Sequence, residues 1–186
     1  MKSYWLKIGL VVLAIWAIAA GAIFYARSRK PTAESVTAYI NANDLSSKTD
    51  ADRRKVIDSV ADMLNHLTLD ERQDLRHEHV TDRFFRSLTP DEQSSFLDAT
   101  LPTGFKQMME AFNKMDPAKR KEFVDRALVE MRSREGDQPP RDIDDKNVQK
   151  IVDQGLRSFY SDANADVKLD LAPLIEQMQK NIQSSR

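Results

Sequence analysis

The sequence predicts an all-α protein: one N-terminal transmembrane helix followed by a soluble multi-helix domain of short amphipathic helices. Three observations lead there. An uncharged, almost wholly apolar run occupies Ile8–Ala26, capping signals punctuate the remainder, and apolar residues recur between those signals at helical spacing.

Residues 1–30 read as a membrane anchor with basic flanks. The run Ile8–Ala26 contains Trp16, Phe24 and Tyr25 but no Asp, Glu, Lys or Arg. As a helix it would be roughly 28 Å long, close to the hydrocarbon thickness of a bilayer. Lipid is thus the expected partner of residues 8–26, with Tyr4, Trp5 and Tyr25 suited to the two interfaces. A cleaved signal peptide is the alternative. Lys2 and Lys7 supply a basic start, and Ala17-Ile18-Ala19 or Ala20-Gly21-Ala22 resembles a cleavage site. The run exceeds the ~7–15 apolar residues of such a segment, and either cut would leave Ile23, Phe24 and Tyr25 on the new terminus. A retained single-pass anchor is the better reading. The positive flanks balance, with the amino terminus, Lys2 and Lys7 on one side and Arg27, Arg29 and Lys30 on the other. Long domains translocate largely regardless of charge, which places the expected domain outside the cytoplasm.

Residues 31–186 are long enough for one domain with its own core. They carry all 29 acidic residues and 23 of the 28 basic ones, a net charge of −6. That balance argues against nucleic acid as a partner, since such binding needs a basic face. The runs Arg53-Arg54-Lys55 and Lys119-Arg120-Lys121 sit among acids and read as solvated helix surface. There is no cysteine, which excludes disulfides, thiolate metal sites and cysteine nucleophiles without identifying a compartment.

The helix starts are legible in order. Thr49 with Asp52 is a loose capping pair. Thr68-Leu69-Asp70-Glu71 and Thr89-Pro90-Asp91-Glu92 match the S/T-x-x-E capping box, and Pro90 stands at the first helical position, where its missing N–H is harmless. Asp116-Pro117 repeats that start. Apolar stripes follow: Val56, Ile57, Val60, Met63, Leu64 and Leu67; then Phe105, Met108, Met109 and Phe112; then Phe123, Val124, Ala127, Leu128 and Met131. Two more complete the domain, Val148, Ile151, Val152, Leu156 and Phe159, and Leu171, Leu174, Ile175, Met178 and Ile182. The one strand-like alternation, Val167–Leu171, is too short for a sheet. Leu101-Pro102-Thr103-Gly104 is expected to end one helix and start another, and residues 133–142, with Gly136, Pro139 and Pro140, to form an exposed linker. The polar tail Asn181–Arg186 is expected to fray.

Candidate chemistry is sparse, and no catalytic, cofactor-binding or metal-ligating residue is assigned. His77 and His79 lie two apart, about 200° from each other on a helix, so they share an ion only if the segment is extended. His66 lies on the preceding helix, and a zinc helix needs H-E-x-x-H spacing instead. Asp162, Asn164, Asp166 and Asp170 fall at positions one, three, five and nine of an EF-hand loop. Val167 then replaces the required glycine and Pro173 the closing glutamate, so an interhelical turn with Asp170 capping the last helix is expected. Six methionines (Met63, Met108, Met109, Met115, Met131 and Met178) read as flexible core filler rather than a copper site. No glycine-rich phosphate loop and no G-x-S-x-G elbow is present.

Leu67-Thr68-Leu69-Asp70-Glu71 and Leu88-Thr89-Pro90-Asp91-Glu92 resemble the paired LTxxQ motifs of small helical periplasmic chaperones and metal-stress proteins of the Spy/CpxP type. Glu71 and Glu92 stand where that family has glutamine, the likeness covers about ten residues, and the same letters spell a good helix start. The resemblance implies a periplasmic chaperone or stress sensor held at the inner membrane. Two function classes follow. The expected one is a non-catalytic, membrane-anchored module that binds a protein partner through a groove between amphipathic helices, as an interaction or envelope-associated scaffold. The other is a helical enzyme or metal-dependent sensor using His77, His79 or the carboxylates.

Overall fold

The computed structural model describes residues 31–133 and 143–184, with no account of the side chains from 181 onward. The expected anchor, most of the 133–142 linker and the last two residues of the tail lie outside the described residues.

Among the described residues eight helices follow one another without a strand: α1 (Ala33–Ala42), α2 (Asp50–His66), α3 (Leu69–His77), α4 (Val80–Arg86), α5 (Pro90–Lys114), α6 (Pro117–Ser133), α7 (Asp145–Asp162) and α8 (Ala165–Ser184). The fold is all-α, as the sequence predicts. The expected caps are in place. Thr68 and Thr89 accept from the backbone N–H of Glu71 and Glu92, whose carboxylates bond back to the threonine N–H groups at 2.9 and 2.8 Å. Asp116 accepts from Ala118 N–H at 2.9 Å. Helix α1 has no counterpart among the expected elements, although Thr32 and Ser35 form its capping box. Serine in place of Glu or Gln at the third position hid that signal.

α5 is the spine of the domain. It packs against α2 on one side and α7 on the other. Its first half closes a core with α1–α4, built on Val36, Ile57, Val60, Leu64, Leu75, Phe84 and Phe96, with Phe84 and Phe96 edge to face at 5.7 Å. Its last turns join a second core with α6–α8, built on Met109, Phe112, Val124, Phe159, Val167 and Leu171.

Several expectations are corrected. Pro102 does not end a helix; α5 runs through it. A proline inside a helix removes one N–H and disturbs the carbonyls one turn back, and here Asn65 of α2 donates its Nδ2–H to Ala99 O at 2.8 Å. Val167–Leu171 is helical, with Val167 fully buried, and the cap of α8 is Asn164 rather than Asp170. α8 also continues to Ser184, through the first residues of the expected tail. Phe123, placed on an inward stripe, is 41% exposed, and its ring leans edge to face on Phe112 at 5.1 Å.

The last correction concerns the basic runs, each of which holds one structural arginine. Arg53 spans Glu92 with Nε and Nη2 at 2.8 and 2.6 Å and donates to the carbonyls of Leu45 and Ser87. Arg120 is 4% exposed; its Nε meets Asp170 at 2.6 Å and its Nη1 meets Phe112 and Met115 carbonyls. Each guanidinium therefore satisfies at least one helix-end carbonyl and binds a carboxylate at once.

Candidate functional site

A groove of about 560 Å³ lies between α3 and α5, with Phe123 of α6 also lining it. One face of α5 forms its floor: Leu101, Gly104, Phe105, Met108, Ala111, Phe112 and Met115 recur every three or four residues. From Leu101 to Met115 that floor is roughly 21 Å long. Leu69, Arg72, Gln73 and Arg76 of α3 form the facing wall. The groove lies where the two cores part, so Phe105, Met108 and Met115 are covered only in part.

Two glycines shape the floor. A Cβ at Gly155 of α7 would come 3.2 Å from the Phe105 ring, so α7 supports that ring from behind. A Cβ at Gly104 would sit 3.4 Å from Arg72 Nη1, so the guanidinium rests on the bare backbone of α5. Arg72 is half-buried. Its Nη2 donates to Asn65 Oδ1 at 3.3 Å, while its Nε is buried with no hydrogen-bond partner. Burial pulls its pKa below the ordinary guanidinium value, with no carboxylate to offset it. None of the sixteen residues lining the groove is acidic, in a domain whose net charge is −6.

The residues singled out from sequence go elsewhere. His77 ends α3, and His79 follows in the left-handed region at φ 53°, so the pair lies neither on one helix nor on one strand. His79 Nδ1 faces Asp82 at 3.1 Å, and His66 Nδ1 lies 2.8 Å from Asp62 O. No three His, Asp or Glu side chains are placed to share a metal ion among the described residues. The EF-like segment is an interhelical turn. Asn113 of α5 clamps it, donating to Asp162 O at 2.8 Å and accepting from Asn164 N–H at 2.9 Å. Asp162 accepts from Ser158 Oγ at 2.6 Å, and the Ser158 and Ser161 hydrogen bonds hold its carboxyl below the usual range. Asp166 is exposed in the first turn of α8, and Asp170 binds Arg120. Met109 is core, but Met108 and Met115 line the groove. Arg72 carries no signal in the sequence, and Gly104 enters it only as part of the expected helix junction at 101–104. Their relation depends on α3 meeting α5, and no local pattern reports it.

Comparison with family models, curated proteins and solved structures found no match to this chain. Among the described residues no helix is long and apolar enough to cross a membrane.

Proposed function

We propose that this chain is a membrane-anchored, non-catalytic helical domain that docks a protein partner in the groove between α3 and α5. The anchor is the apolar run Ile8–Ala26, and the domain lies outside the cytoplasm. The observation that carries the docking role is the partly uncovered face of α5 between the two cores, with Phe105, Met108 and Met115 along one open trough. Apolar grooves of this shape seat amphipathic helices, whose anchors repeat at the same spacing. Thioether side chains adapt to differing partners. Met108 and Met115 thus favour a second reading, a chaperone-like module with several clients, in keeping with the Spy/CpxP-type resemblance.

The test is site-specific photocrosslinking in the intact chain, in cells. A photoreactive residue at Met108 or Met115 is expected to give a discrete protein adduct, and one at Leu169, 74% exposed and outside the groove, to give none. Equal labelling at all three positions, or none at any, rejects the groove as a docking site. Alkaline extraction of the membranes should leave the full chain in the pellet and release a chain lacking residues 1–30.

A further inference from the structure

The identity of the occupant is written in the charge of the groove. Arg72 projects from the α3 wall, half-buried against Gly104 of the floor, with a buried Nε that has no partner and no ion pair among the described residues. The two other arginines that the fold buries, Arg53 and Arg120, both hold carboxylates. A buried guanidinium without an anion is unfavourable, and its fork geometry matches a carboxylate. Arg76 adds a second positive charge on the same wall, and no lining residue opposes it.

We propose that the groove seats an acidic amphipathic helix, whose apolar anchors lie along Phe105, Met108 and Met115 and whose carboxylate pairs with Arg72. This deepens the docking reading and rests on it. The floor of roughly 21 Å matches about four turns of helix, and the groove is only partly enclosed, whereas small ligands are mostly enclosed by their sites. The chain's own apolar segment Ile8–Ala26 contains no carboxylate and does not supply the missing partner.

The test uses the intact chain in nanodiscs of neutral phosphatidylcholine. Three fluorescein-labelled peptides of about 16 residues share one helical apolar stripe and differ only in a central Glu, Gln or Lys. Anisotropy titrations, corrected with empty nanodiscs, are expected to show the Glu peptide binding about tenfold tighter than the Gln peptide, and the Lys peptide weakest. Arg72→Gln should bring the Glu and Gln peptides within about twofold of each other, whereas Arg72→Lys, which keeps the charge, should retain a preference for Glu. Thermal melts of both variants report on folding, and the peptide series on the unaltered chain stands without them. Equal binding of all three peptides to the unaltered chain, displaced by a bulky Met108→Trp change, overturns the acidic preference and leaves docking intact. A preference for Glu that persists in Arg72→Gln overturns the role of Arg72. Binding of oleate at the groove with no peptide bound overturns both the inference and the docking reading.

Discussion

Arg120 and Asp170 meet at 2.6 Å across α6 and α8, and the same guanidinium holds the carbonyls of Phe112 and Met115 at the end of α5. One buried side chain thereby ties three helices together. Arg120→Ala removes the cation, uncaps two carbonyls and opens a gap, and should destabilise the domain by about 3–5 kcal/mol. Lys119→Ala and Lys121→Ala, at exposed neighbours, should each stay within about 0.5 kcal/mol. Denaturant titrations of the three variants check this; similar losses for all three would return Arg120 to the solvated surface.

The Arg53–Glu92 pair should make stability depend on acid pH. The Arg53 guanidinium, helped by the Thr89 N–H, holds the Glu92 carboxyl down at about 2, from an ordinary 4.5. A depressed pKa contributes stability that is complete above the unfolded value and is lost as pH falls through the folded one. The loss therefore falls between about pH 4.5 and 2. Solvent reaches the pair, so the contribution is on the order of 1–2 kcal/mol rather than the full linkage value. Glu92→Gln should flatten the stability profile across that window, measured by urea unfolding at stepped pH. An unchanged slope would separate the pair from acid stability.

Phe112 is 6% exposed in the second core, and Phe112→Ala should lose about 3–5 kcal/mol. Lys114→Ala, two residues on and exposed, should change stability by less than about 0.5 kcal/mol. Thermal unfolding distinguishes them, and equal effects would contradict the orientation of α5.

Among the described residues, both cores are built from residues at or beyond Ala33. A chain of residues 31–186 should therefore fold alone, with a strongly helical circular dichroism spectrum and one cooperative melt. A disordered or aggregated product would show that residues 1–30 contribute to the fold.

The sequence by itself determined what depends on neighbours a few residues away. The starts at Thr49, Thr68, Thr89 and Asp116 are contacts within three residues, and the apolar stripes are a property of one helix at a time. These suffice for an all-α domain and for the register of α2 and the end of α5. Tertiary structure decided the rest. Pro102 stays inside α5, where Asn65 serves the Ala99 carbonyl, 34 residues later, in the turn before it. Arg53 and Arg120 leave the surface because carboxylates 39 and 50 residues later await them. Asp162 and Asn164 resemble a cation loop until Asn113, across the fold, takes up the turn's backbone groups. The groove is of the same kind: Arg72 and Gly104 acquire meaning only where α3 crosses α5. A charged or polar side chain takes its role from the partner that desolvates and neutralises it, and that partner is set by packing rather than by spacing along the chain.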